Sequence, residues 1–330
     1  MARPLVVVWR VTEACDLSCW FCEYNRRLRR PRQVADAAAV LALGKALSEY
    51  SAASARPVLV SWLGGEPLLW PALMNAGRRL HEDFGLALGL TTSGWHFNRP
   101  GLIDHLAETY AEITVSVDGL AAAHDAGRGA PGLFERVRLG VGALRDSKQR
   151  RGQGPLLRAN TILMHSNVHA LEALGHKLAD WGIEEMTFNP LGGRPPGPYY
   201  LRERLQPEDA RWLRGELPGL RERLLARGLR LLASARYLGR LSDAAAGVPV
   251  HVTDCHPGAD FLFVDERGRV SPCAFVGEGY GVPAAELRHA ADLAELPARF
   301  AAQRRQMPAA ACQDCASTQV FGKFEWAEAA

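Results

Sequence analysis

The chain has 330 residues, 48% hydrophobic and 23% charged, and its 39 basic and 36 acidic side chains leave a net charge of +3. That length allows about two domains, the composition excludes bulk disorder and fibrous architectures, and the balanced charge gives no footprint for nucleic acid. The longer apolar runs, Leu5–Trp9 and Ala37–Leu43, fall far short of the roughly 20 residues of a membrane-spanning helix. Leu5–Trp9 runs straight into Arg10-Val11-Thr12-Glu13 without a small-residue cleavage site, unlike a signal peptide. A cytoplasmic chain with reduced thiols and no membrane partner is expected.

In chain order, apolar β-branched stretches at Leu5–Val11, Val58–Trp62, Leu86–Thr92, Ile113–Val117, Asn160–Met164 and Glu185–Phe188 alternate with amphipathic ones. The amphipathic stretches are Asp36–Tyr50, Trp70–Phe84, Pro100–Tyr110, Leu133–Arg145 and Val168–Trp181. This alternation predicts βα units on a parallel sheet. Six such strands predict an α/β fold built as a partial (β/α)6 barrel, with its chemistry at the carboxyl ends of the strands. A Gly/Pro-rich break follows at 192–200, then Leu- and Arg-rich helical sequence from about Glu208 to Asp243. Phe261–Val264, Asp265–Gly268 and Arg269-Val270 read as a hairpin with a glycine turn. The expected division is 1–192, 193–250 and a small C-terminal unit at 251–330.

The seven cysteines fall into two groups, Cys15-x3-Cys19-x2-Cys22, and then Cys255, Cys273 and Cys312-x2-Cys315. An odd count in a reduced compartment points to metal or catalysis rather than to a disulfide framework. Random placement would produce the early spacing only about 0.003 times. Three thiolates leave one iron of a 4Fe–4S cluster open to a ligand that is not protein; a zinc site with a fourth ligand from elsewhere is the plainer alternative. The four later thiolates suffice to close a whole cluster or a single zinc.

The early triplet, with aromatic Phe21 before its last cysteine, resembles the signature of the radical S-adenosylmethionine (SAM) superfamily. Leu63-Gly64-Gly65-Glu66-Pro67-Leu68 resembles that family's GGEP motif, and Thr92-Ser93-Gly94, Ser116-Val117-Asp118-Gly119 and Arg158-Ala159-Asn160-Thr161 resemble its third, fourth and fifth strand ends. His124-Asp125-x2-Arg128 has the spacing of its peptide-modifying branch. The later group, with Gly268 between Cys255 and Cys273, is similar to the Twitch domain, a short SPASM-like unit carrying one auxiliary 4Fe–4S cluster, and to an alcohol-oxidising dehydrogenase of the family.

The resemblance implies two 4Fe–4S clusters and SAM as cofactors, with Cys15, Cys19 and Cys22 on the first cluster and Cys255, Cys273, Cys312 and Cys315 on the second. It implies reductive cleavage of SAM to a 5′-deoxyadenosyl radical. SAM contacts are implied at Phe21, Gly64, Gly65, Glu66, Pro67, Ser93, Ser116, Arg128 and Asn160, with Glu66 at the ammonium and Arg128 at the carboxylate. Gly64-Gly65 would let backbone approach the ligand. An auxiliary cluster closed by four cysteines suits electron transfer, so net oxidation of a natural-product precursor is expected. Epimerisation is the competing reaction, although it commonly needs a free thiol and all seven are assigned; a zinc-binding scaffold is the alternative of another class. The expected substrate is a small molecule, or a ribosomal peptide delivered by a separate protein, since strand one is expected to begin near Leu5 with no leader-recognition domain fused before it. Expected partners are a reductant such as flavodoxin or ferredoxin and, for a peptide, a separate leader-binding protein. The basic run Arg26–Arg32 reads as a solvated face. Trp95-His96 and Tyr199-Tyr200 read as packing.

Overall fold

The structure, a computed structural model, describes residues 3–192 and 198–325. Six parallel strands follow the predicted order: β1 (Leu5–Thr12), β2 (Val58–Gly64), β3 (Ala87–Thr92), β4 (Glu112–Ser116), β5 (Leu156–Leu163) and β6 (Glu185–Pro190). The short strand β7 (Arg230–Leu231) extends the sheet beyond β6. On the other side, β8 (Phe261–Val264) pairs parallel to β1, followed by antiparallel β9 (Arg269–Ser271) and β10 (Val282–Pro283). The result is one ten-stranded sheet in the order β10-β9-β8-β1-β2-β3-β4-β5-β6-β7. Its end strands do not pair with each other, so the sheet is open. The predicted hairpin of the C-terminal unit is therefore continuous with the barrel sheet.

Each strand turns alternate side chains to opposite faces. Leu5, Val7, Trp9 and Val11 of β1 and Val58, Val60 and Trp62 of β2 are buried under the helices, each fully buried apolar side chain contributing about 1.5–3 kcal/mol. Trp62 packs at 6.1 Å from Trp9 and 5.7 Å from Trp70. The helical layer consists of Ala37–Ser54, Leu73–Glu82, Leu102–Thr109, Leu133–Arg151 and Leu171–Trp181, close to the predicted stretches. Asp36 caps the first of these by accepting from Ala39 N at 2.8 Å.

Several elements differ from expectation. β5 begins at Leu156, four residues before the predicted start, because the charged Arg158 is accommodated on the inner face by Glu185 at 2.6 Å and Glu112 at 3.2 Å. Helices Ala121–Arg128 and Ala290–Gln306 were not predicted, and the helical stretch after residue 208 splits into Pro207–Leu225 and Ala235–Ala246 around β7. The Gly/Pro break lies partly outside the described residues, and Pro198–Glu203 within it is helical. No helix among the described residues is long and apolar enough to cross a membrane.

Candidate active site and cysteine-lined cavity

The segment Cys15–Cys22 leaves the carboxyl end of β1 and is tied down by backbone. Ser18 N donates to Arg128 O at 3.2 Å and Trp20 N to Gly127 O at 3.4 Å. The Cys19 thiol lies 3.9 Å from Arg128 O, and Asn25 Nδ2 donates to Cys19 O at 3.0 Å. The carbonyls at the end of helix Ala121–Arg128 thus receive the loop, in the place where helix ends leave acceptors unpaired. Gly129 continues the chain with φ +60°, and a Cβ there would stand 2.3 Å from Ser18 Oγ.

Gly64 and Gly65 allow a close approach of backbone to backbone. Gly65 N donates to Thr12 O at 2.7 Å and Glu66 N to Ala14 O at 2.8 Å. A Cβ on Gly64 would fall 2.5 Å from Thr12 O, and one on Gly65 2.2 Å from Ala14 O. The close neighbour of the glycine pair is the entry to the cysteine loop itself.

Glu66 is 1% exposed. Its carboxylate accepts from Thr92 Oγ1 at 2.7 Å, Ser93 N at 2.9 Å, Ser93 Oγ at 2.5 Å and Leu68 N at 3.2 Å. Four bonds fill a carboxylate's acceptor sites. Glu66 therefore joins the ends of β2 and β3 and caps the short turn Pro67–Leu69.

Arg128 pairs with Asp118, at 2.9 Å through Nε and 2.7 Å through Nη2. Its guanidinium stands 5.8 Å from the Phe21 ring. Asp118 also accepts from Ile162 N at 2.9 Å, and its own N–H donates to His124 Nδ1 at 3.2 Å. Burial, then the Arg128 charge, push the His124 pKa down to about 3, so its ring is neutral. Ser116 and Asn160 face each other in register across β4 and β5. The Asn160 Oδ1 accepts from Thr187 Oγ1 at 3.1 Å and from Lys323 Nζ at 2.7 Å.

The basic run folds partly back onto the loop. Arg32 donates to Asn25 O at 2.8 Å, and Arg30 pairs with Glu13 at 3.5 Å, while Arg26, Arg27 and Arg29 are exposed. His96 Nε2 lies 2.9 Å from Asp16 Oδ2, and Tyr199 packs edge-on against Trp20 at 5.1 Å. Burial pushes Asp16 up, but His96 outweighs it and holds the carboxyl below its ordinary range.

The three early thiols fit the soft-donor set of an Fe–S cluster. Burial pushes Cys15 up to about 12 and Cys19 to about 11. Thiolates at such positions call for a compensating metal charge. The four later cysteines line one cavity of about 300 Å³, together with Arg304, Tyr280 and Phe275. Arg304 Nη1 donates to Cys255 Sγ at 3.0 Å, and Arg240 Nε to Cys315 O at 2.7 Å. Burial raises Cys255, against the opposing Arg304 charge, and pushes Cys273 up to about 11. His256, in the same wall, has φ +43°, a left-handed backbone uncommon outside glycine. Among the described residues, no three His, Cys, Asp or Glu side chains gather closely enough to hold one metal ion.

Sequence reasoning missed Lys323. Nothing in its local sequence marks it, because its partner Asn160 is 163 residues away.

Comparison with known proteins agrees with this geometry. The chain is 32% identical over 144 residues to the AdoMet-dependent heme synthase of Methanosarcina barkeri, covering 43% of this chain and 39% of that protein. It is 30% identical over 142 residues to the pre-heme d1 synthase of Dinoroseobacter shibae, covering 41% and 32%. The chain thus spans less than half the length of these curated relatives. Among solved structures, Streptococcus suis SuiB bound to S-adenosylmethionine superposes with a TM-score of 0.67 at 16% identity, over 95% of this chain and 72% of that one. The native anSMEcpe with bound AdoMet gives 0.64 at 13%, over 98% and 93%. The model of the Radical SAM superfamily matches residues 9–173, half of the chain. With the cysteine loop, the glycine pair and the parallel sheet all inside or bordering that span, the chain belongs to the radical SAM superfamily, whose members bind a 4Fe–4S cluster and SAM.

Proposed function

We propose that the chain is a radical SAM oxidoreductase that takes a hydrogen atom from a natural-product precursor and completes a net oxidation with a second 4Fe–4S cluster as electron acceptor. Cys15, Cys19 and Cys22 hold the first cluster, and the inner face at Ser116 and Asn160 lies beside the site of SAM. Bound there, the cluster and SAM supply a 5′-deoxyadenosyl radical to the substrate. The protein's residues position and enclose. Glu66 locks the ends of β2 and β3 together, the Asp118–Arg128 pair braces the cysteine loop from behind, and Phe21 lies against Arg128.

The observation that carries the oxidative reading is the cavity of about 300 Å³ lined by Cys255, Cys273, Cys312 and Cys315. Four thiols spread around one space suit a cluster with every iron occupied by protein, which transfers electrons and binds no substrate. Arg304 at the Cys255 sulfur supplies a charge-assisted hydrogen bond that favours the reduced cluster. The first electron comes from a flavodoxin- or ferredoxin-type reductant.

The test is the double variant Cys312→Ser/Cys315→Ser, reconstituted anaerobically. It is expected to carry about four fewer irons per chain, to keep SAM cleavage and to lose oxidised product. Undiminished iron, or oxidised product at the native rate, overturns the reading. Solvent deuterium in a product with no net oxidation would replace it with epimerisation. A second reading, a tetrapyrrole-type small molecule as substrate, draws on the relatives named as AdoMet-dependent heme synthase, pre-heme d1 synthase and Fe-coproporphyrin III synthase.

A further inference from the structure

Among the described residues, the inner face of the sheet holds a cation with no ion-pair partner, Lys323. Arg158 pairs with Glu185 at 2.6 Å and Glu112 at 3.2 Å, and Glu185 also takes Arg230 at 2.5 Å. Lys323 lies in the same space and is 6% exposed. Its ammonium donates to Asn160 Oδ1 at 2.7 Å and stands 5.0 Å from the Phe324 ring. Among the described residues no carboxylate forms an ion pair with it. An isolated buried ammonium is costly. Burial, then the Arg158 charge, push its pKa down to about 7.

The segment that delivers Lys323 is held in place. Ala233 N donates to Glu325 O at 3.0 Å, Ser234 N to Gly322 O at 3.1 Å and Ser234 Oγ to Phe321 O at 2.6 Å. Gly322 has φ +73°, and a Cβ there would meet Ser234 Oγ at 2.7 Å, so only glycine lets the chain turn inward at this point.

The free hydrogen-bonding capacity of Lys323 and Asn160 is all of one kind. An ammonium has three donors and no acceptor. Its bond fixes the Asn160 amide with the oxygen toward Lys323, and Thr187 Oγ1 also donates to that oxygen. The Asn160 NH2 group is thereby left facing away as a donor. Lys323 and Asn160 together offer donors and one positive charge, which is the complement of an acceptor-only anion. We propose that Lys323 and Asn160 form the anchor for a carboxylate on the substrate, placing the substrate on the inner face beside the SAM site. This deepens the proposed function and rests on its reading of that face as the reaction chamber. Arg158 and Arg230 are matched by Glu112 and Glu185, so the carboxylate balances the charge of Lys323 itself.

The chain has four lysines, so the anaerobically reconstituted enzyme labelled with 15Nζ-lysine gives few signals. K323M, or K323R if the methionine variant does not fold, assigns the Lys323 signal, and K177M on an exposed helix position serves as the control. Lys323 is expected to titrate near pH 7, held down by its burial and then by the Arg158 charge. With SAM bound, propionate is expected to raise that midpoint by roughly one pH unit or more, while neutral propionamide leaves it in place and Lys177 responds to neither. The proposal is overturned if propionate has no effect, if propionamide acts equally, or if SAM alone produces the whole shift. The last result would assign the anchor to the carboxylate of SAM. Release of 5′-deoxyadenosine by the same sample reports separately on the parent reading, so the two can fail independently.

Discussion

Glu66 and His124 are residues whose surroundings determine what they do. The Glu66 carboxylate is fully engaged by Thr92, Ser93 and Leu68, so Glu66→Gln places an amide NH2 against donors. We expect a loss of about 2 kcal/mol or more in urea unfolding, together with loss of SAM cleavage; native stability would refute this structural role. His124 is buried and neutral, with its pKa down at about 3. The unfolded chain takes up a proton near the ordinary value of 6.5, so below that value it binds more protons than the folded chain, and stability falls as pH falls. Between pH 6 and 5 this residue contributes a slope of up to about 1.4 kcal/mol per pH unit. His124→Gln is expected to flatten that slope, as read from unfolding curves at the two pH values. Both residues, and their partners Asp118, Thr92 and Ser93, stood out in the sequence through their motifs. The pairings did not, because these residues become neighbours only when separate strand ends are brought together.

At the level of elements, β1, β2 and helix Ala121–Arg128 cooperate to shape one loop. The glycine pair of β2 touches the backbone of the loop, and the helix receives it on its last carbonyls. Gly65→Ala would push a methyl group to within 2.2 Å of Ala14 O. The expected outcome is about four fewer irons per chain after reconstitution, with the C-terminal cysteines still loaded. Gly142→Ala, on an open helix face with nothing within 4 Å, is the matched control, expected to stabilise by about 0.5–1 kcal/mol. Full iron loading in Gly65→Ala would show that the loop tolerates displacement. The βα alternation was legible because core-facing strand residues are apolar and β-branched. The start of β5 and the helix Ala121–Arg128 were not: Arg158 owes its place to Glu112 and Glu185, and the helix has few apolar residues to mark a buried stripe.

At the level of the whole molecule, a single sheet joins both cysteine groups. β8 pairs with β1, the strand that leads into the early cysteine loop, and β8 itself follows Cys255. The later thiols therefore belong to a unit built directly onto the edge of the barrel sheet, and the segment beyond Cys315 returns across the inner face to place Lys323. Cysteine spacing alone was enough to indicate the early loop, since its three thiols are neighbours in the chain. The contact between residues 160 and 323 depends on the complete fold and leaves no local trace. The most direct measurement is anaerobic iron content together with 5′-deoxyadenosine release, comparing the native chain with Cys15→Ala/Cys19→Ala/Cys22→Ala. The account predicts about eight irons per chain falling to about four, with deoxyadenosine release abolished. Unchanged iron, or deoxyadenosine still formed without those three thiols, would contradict it.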